Sequence, residues 1–263
     1  MKAMSKLWVT LIREVKAWAV LATFVAASFL AFGTANAVAL SNTEVSWRDF
    51  AGTWRPTNIQ PLVTDLPIGA TFPYVRTVSV AYKSQGGATE GKWVYAYQII
   101  LYSHFSDIPK EITSFSVLTF APPETVKQDG TTFSSFYTLK PLLAKPTEFP
   151  EFSREDPIHP GARPTSATYD YNARTKVGTI SWEITLRSSL LFDLQSVIFG
   201  YVSAGPPKKA SASLVMTFLR TPPERPERKI YLPKVWVASP EPASALLLGI
   251  GLLGIGMFRR RKR

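Results

Sequence analysis

The stretch Val177-Gly178-Thr179-Ile180-Ser181-Trp182-Glu183-Ile184-Thr185-Leu186-Arg187 decides the fold. Ile180, Trp182, Ile184 and Leu186 fall on one face of an extended chain, while Thr179, Ser181, Glu183 and Thr185 fall on the other. A period of two predicts a strand with one buried and one wet face, and the buried face needs a second sheet to cover it. Working outward, runs of similar character span residues 74–82, 92–101, 112–120, 131–139, 190–201 and 211–219. Turn-forming clusters separate them, among them Gln85-Gly86-Gly87, Ala121-Pro122-Pro123, Gln128-Asp129-Gly130, Tyr171-Asn172-Ala173 and Ala204-Gly205-Pro206-Pro207. With no amphipathic helix between the strands, the expectation for residues 38–220 is all-β. It is an antiparallel sandwich, immunoglobulin-like or jelly-roll-like, with Trp182 in its core.

Two segments break the rhythm. Residues 141–164 hold six prolines, too many for a central strand, and predict a long surface excursion. Residues 221–242 hold six more, and residues 221–238 are expected to form a proline-rich, semi-rigid stalk, with a short edge strand at 230–232 as the alternative. On the run at 92–101, Trp93, Tyr95 and Tyr97 share a face. That row suits either a stacking surface for sugar rings or core packing; the apolar Val94, Ala96 and Ile100 opposite favour the core.

The chain has 263 residues, a net charge of +11 and no cysteine. The absence of cysteine excludes disulfides, thiolate metal sites and cysteine nucleophiles. The first 37 residues carry +3 and the last five +5, leaving only +3 for the rest, so a nucleic-acid footprint on the body is not expected. Basic residues followed by the apolar run 17–32 and by Ala35-Asn36-Ala37 read as a signal helix with a signal-peptidase site at Ala35 and Ala37. At the other end Pro240-Glu241-Pro242 precedes the apolar run 243–258 and then Arg259, Arg260, Arg261, Lys262 and Arg263. Sixteen helical residues reach about 24 Å, enough for a single transmembrane helix with modest bilayer thinning, and the cationic cluster acts as a cytoplasmic stop-transfer plug.

The ordered combination of Pro-Glu-Pro, a short leucine- and glycine-rich span and a terminal arginine cluster over residues 239–263 resembles the PEP-CTERM protein-sorting domain. The resemblance implies an exosortase-type membrane protease or transpeptidase as partner, acting at Pro240, Glu241 and Pro242. It also implies signal peptidase and the secretion machinery, passage across the inner membrane, and a final place on the surface or in the exopolysaccharide matrix of a Gram-negative bacterium. Prolines 240 and 242 lack amide hydrogens and resist helix, which keeps the motif extended for such an enzyme.

Catalytic signatures are missing. There is no Gly-x-Ser-x-Gly elbow, phosphate-binding glycine loop or His-Glu-x-x-His helix, and His104 and His159 both read as loop residues. No catalytic residue, metal site or cofactor is expected. The reading is therefore a secreted, non-enzymatic β-protein, transiently held at the membrane by its C-terminal helix. A carbohydrate-binding or carbohydrate-active body using Trp93, Tyr95 and Tyr97 is the alternative, and a permanently anchored envelope protein a third reading.

Overall fold

A computed structural model describes residues 38–39, 44–52, 61–66, 74–102, 109–128, 131–133, 135–140, 152–153, 161–187, 194–218 and 227–240. In chain order the elements begin with β1 (Val38–Ala39), β2 (Glu44–Val45), α1 (Trp47–Ala51), β3 (Leu62–Leu66), β4 (Val75–Lys83) and β5 (Trp93–Leu101). They continue with β6 (Pro109–Thr119), β7 (Val126–Gln128), β8 (Thr131–Phe133), β9 (Phe136–Leu139) and β10 (Pro164–Asn172). The last are β11 (Val177–Arg187), β12 (Leu194–Gln195), β13 (Phe199–Ser203), β14 (Pro207–Phe218) and β15 (Arg228–Ala238). Two large sheets result. The first runs β1-β10-β11-β6-β14-β15 and the second β2-β9-β13-β5-β4-β3, with β12 also on β5 and β7–β8 as a separate ribbon.

The alternation in β11 has the predicted outcome. Ile180, Trp182, Ile184 and Leu186 are buried, while Glu183, Thr185 and Arg187 are exposed. The two sheets meet face to face around Trp182. Its ring lies 5.8 Å from Phe115 in its own sheet, and 5.6 Å from Tyr97 and 5.3 Å from Phe199 in the other. Trp182 stacks on Phe115 at 27° and meets Tyr97 and Phe199 tilted or edge-on, so these pairs gain from their quadrupoles as well as from burial. The β10–β11 hairpin turns on Asn172, whose Oδ1 accepts from the amides of Arg174 (3.0 Å) and Thr175 (3.1 Å) before Lys176 takes φ 56°.

A second apolar layer was not foreseen. The outer face of the β5 sheet is covered by Trp47, Phe50 and Ala51 of α1 and by Phe152, which pack on Val80, Tyr82, Val94 and Tyr137. Strand β5 is therefore buried on both faces, and its near-continuous apolar run follows from that. Its one polar outward residue, Gln98, holds the covering segment, accepting from the Ser153 amide (2.9 Å) and donating to its carbonyl (3.0 Å). Gly87 (φ 68°) lets the β4–β5 turn approach α1 so closely that a Cβ there would sit 2.6 Å from the Asp49 carbonyl oxygen.

The stalk expectation for residues 221–238 is corrected: residues 228–238 form the full-length strand β15. Alternation in this strand changes phase at Pro233-Lys234, with Ile230 and Leu232 inward before the break and Val235 and Val237 inward after it. The register shows the cause, since Ala212 pairs with Leu232 but Ala210 with Val235, leaving one extra residue on β15. A bulge on an edge strand is where a proline, which cannot donate to a ladder, is tolerated. The run at 131–139 is likewise split into β8 and β9, and β3 and β10 are strands that the pattern missed.

Among the described residues no helix is long and apolar enough to cross a membrane. The signal helix with Ala35 and Ala37, the spanning run 243–258 and the cationic residues Arg259, Arg260, Arg261, Lys262 and Arg263 lie outside the described residues, as do His104 and His159.

Candidate functional site

The C-terminal half of β15 is fixed on both sides. One side pairs with β14. On the other, the Thr64 hydroxyl donates to the Lys234 carbonyl (2.9 Å), Tyr97 donates to the Trp236 carbonyl (2.6 Å), and the Trp236 amide donates to Ser79 (3.2 Å). The Ala238 amide donates to the Tyr201 hydroxyl (2.8 Å), the Phe120 amide donates to the Ala238 carbonyl (2.9 Å), and the Ser239 amide donates to the Pro206 carbonyl (2.8 Å). Edge groups that would otherwise recruit another strand are thus satisfied by side chains of the opposite sheet. Ser239 is half-buried and Pro240 exposed, so the fixed body gives way to the Pro-Glu-Pro tripeptide within two residues.

Residues 240–262 match the family model of the PEP-CTERM protein-sorting motif. The chain carries that sorting motif. No curated protein and no solved structure matches the chain. Of the motif, Pro240 is described, at the mouth of the strand exit, and Glu241 and Pro242 lie outside the described residues. The body that precedes the motif supplies no extended spacer, contrary to the stalk expectation, because β15 occupies the place of one. Two period-two runs offset by one residue, Ile230/Leu232 and Val235/Val237, were the sequence signal for that strand.

The aromatic row of β5 does not form a sugar-stacking surface. Tyr95 and Tyr97 are fully buried between the sheets and Trp93 is half-buried against the same core. Each phenol braces backbone: Tyr95 donates to the Gly205 carbonyl (2.7 Å), and Tyr137 donates to the Tyr95 carbonyl (3.0 Å). Burial pushes the phenols of Tyr95, Tyr97, Tyr137 and Tyr201 far above their ordinary value, and that of Tyr169 up to about 12. They are neutral at physiological pH and serve as hydrogen-bonding struts. The physical reason for the correction is that the sheet opposite, not solvent, faces this row.

The outer face of the first sheet is a different surface. Register places Thr168, Ser181, Ser116, Ser213 and Tyr231 side by side across five strands. At about 4.8 Å per strand this hydroxyl row spans about 19 Å. Ser116 and Ser181 hydrogen-bond each other at 2.9 Å, and Tyr231 at the end is 67% exposed. A groove of about 110 Å³ lies along it, lined among others by Leu118, Thr179, Ser213, Lys229 and Tyr231. Among the described residues no group of three His, Asp or Glu side chains is placed to hold a metal ion.

Proposed function

We propose that this chain is an exported β-rich protein, sorted by an exosortase-type membrane enzyme that acts at Pro240-Glu241-Pro242, and that its body is a non-catalytic surface or matrix component. The observation that carries the reading is the motif match at residues 240–262, joined to a folded β body that stops at Ala238. On this reading the N-terminal segment is removed by signal peptidase after delivery to the secretion machinery. The run 243–258 anchors the chain transiently in the inner membrane, and the two-sheet body, antiparallel but for the β2–β9 pair, is left at the cell surface or in exopolysaccharide. The titratable groups the described fold buries most deeply are tyrosine struts, which supports a structural body.

Intact-mass analysis of the protein from surface and medium fractions tests this. The expected wild-type product lacks both the residues up to Ala37 and the residues after the motif. Changing Pro240 and Pro242 to alanine removes a helix penalty of about 3 kcal/mol each, so helix propagates outward from Ala243 and the motif is no longer presented extended. That variant is expected to remain membrane-bound at full tail length. A wild-type surface protein that keeps residues 243–263, in cells carrying the processing enzyme, would sink the sorting reading.

The hydroxyl row ending at Tyr231 favours a second reading, in which the body binds a neutral polysaccharide along its outer face. An exposed aromatic ring offers a sugar its apolar face while neighbouring hydroxyls take up the hydrogen bonds. Tyr231→Ala is expected to weaken retention on immobilised exopolysaccharide at least about tenfold, the scale of a lost aromatic anchor, with stability unchanged. Equal retention of both proteins would discard this reading.

A further inference from the structure

The absence of a spacer before the sorting motif constrains where the body sits while the tail is in place. Ser239 is pinned by its amide to the Pro206 carbonyl. From there to Ala243, where the apolar run begins, the chain can reach at most about 14 Å however it is extended. The headgroup layer takes up about 5 to 7 Å of that distance. The end of the body from which the motif leaves therefore lies within about one Debye length, about 8 Å, of the headgroups. This conclusion depends on chain length alone, and it rests on the membrane-anchor reading of residues 243–258 given above.

Register identifies what else is at that end. It holds the exit of β15, the start of β14, the end of β6 with the following Phe120–Thr125 segment, the β10–β11 hairpin and the β4–β5 turn. Among the described side chains there, with α1 packed against the β4–β5 turn, the cations are Arg48, Lys83, Lys92, Arg174, Lys176, Lys208 and Lys209, and the acids are Asp49, Glu90, Glu124 and Asp170. Lys92 is paired with Glu124 at 2.8 Å. Arg174, Lys176, Lys208 and Lys209 are exposed. Two of these stand over half-buried rings, Lys208 at 4.3 Å from Phe120 and Lys209 at 5.3 Å from Trp236. Aromatic rings beneath a fringe of lysines suit the interfacial layer, where a ring sits at headgroup level and an ammonium meets phosphate.

We propose that this end of the body is a membrane-docking surface, which holds the unprocessed protein upright, end-on to anionic phospholipid, through Arg174, Lys176, Lys208 and Lys209. Each cation near an anionic surface contributes about fivefold to partitioning, so the four together bias orientation strongly although none binds alone. Docking keeps the motif at headgroup depth, where a membrane-embedded enzyme reaches it, and cutting the tail removes the tether. The few-fold effect of each remaining cation then no longer suffices to retain the body against dilution, and it leaves the membrane.

The chain has no cysteine, so a single introduced thiol reports one position without ambiguity. The test uses the full chain reconstituted in phosphatidylcholine vesicles with and without about 30% phosphatidylglycerol, containing a headgroup-spin-labelled lipid that quenches a thiol-linked fluorophore. One label is placed at Thr125→Cys, on the docking end, and one at Glu227→Cys, about 35 Å away along β15. Quenching is expected at position 125 and not at 227. It should rise several-fold with phosphatidylglycerol, and fall to the phosphatidylcholine level when Arg174, Lys176, Lys208 and Lys209 are all changed to glutamate. Quenching at 125 that ignores both anionic lipid and charge reversal would mean a bare tether and overturn the proposal. Self-quenching that grows with protein density instead of anionic lipid would overturn it in favour of a second copy of the chain. A chain that does not float with the vesicles at all refutes the membrane-anchor reading and takes this proposal with it.

Discussion

Replacing Trp182 by alanine is expected to lower stability by about 3 to 5 kcal/mol, the usual range for truncating a large buried aromatic. The indole is fully buried and forms ring contacts with Tyr97, Phe115, Phe136, Phe199 and Tyr201, drawn from both sheets. A cavity at this point cannot be closed by one side chain, because the strands that line it are held by ladders on either side. Trp182→Phe should behave differently. Among the described residues the indole N–H meets no hydrogen-bond acceptor, so its removal recovers part of a desolvation cost of about 1 to 3 kcal/mol while a ring is kept. Urea unfolding followed by far-ultraviolet circular dichroism separates the two. An alanine variant within about 1 kcal/mol of wild type would show that Trp182 is not the centre of the core.

Alkaline pH is expected to be still more damaging. Burial raises the phenols of Tyr95, Tyr97, Tyr137 and Tyr201 above their unfolded value of about 10. A raised acid of this kind adds stability that is fully present below the unfolded pKa and is lost as pH rises past it, since the unfolded chain gives up its protons first. Four such groups cost about 5 kcal/mol per pH unit above about 10, at about 1.4 kcal/mol each. Marginal domains hold about 5 to 15 kcal/mol in all, so the body should unfold cooperatively between about pH 11 and 13. Phenolate absorbance should then rise in one step that coincides with loss of the near-ultraviolet circular dichroism signal. Gradual titration of these four tyrosines near pH 10 in a protein that stays folded would contradict their burial.

Trp182 stands on β11 and two of the four tyrosines on β5, and those two strands differ in how far their sequences could be read. In β11 the alternation of Ile180, Trp182, Ile184 and Leu186 with polar neighbours is complete, because its outer face meets solvent. In β5 the same period was blurred by Val94 and Ala96, since α1 and Phe152 cover the face that a two-sheet body would leave wet. The purpose of Trp93, Tyr95 and Tyr97 could not be read from their spacing for the same reason. Spacing places three rings on one side of a strand, but whether sugar or Trp182 lies opposite Tyr97 depends on a residue 85 positions further along.

The sorting motif was legible, because the order of Pro-Glu-Pro, an apolar run and a cationic cluster is a matter of local composition alone. The all-β class was legible too, since strand alternation and turn residues are set within a few positions. The tertiary structure decided that residues 228–238 form one full-length strand, beyond the short edge strand at 230–232 that was the alternative to a stalk. Their single proline, Pro233, and their charges argue against a long strand locally, and their membership is fixed by partners far away: the β14 ladder, Thr64, Ser79, Tyr97 and Tyr201. Local sequence can report a residue's own preference for a conformation. It cannot report hydrogen bonds offered from 37 to 170 positions away, and those bring the last strand to the threshold of the motif.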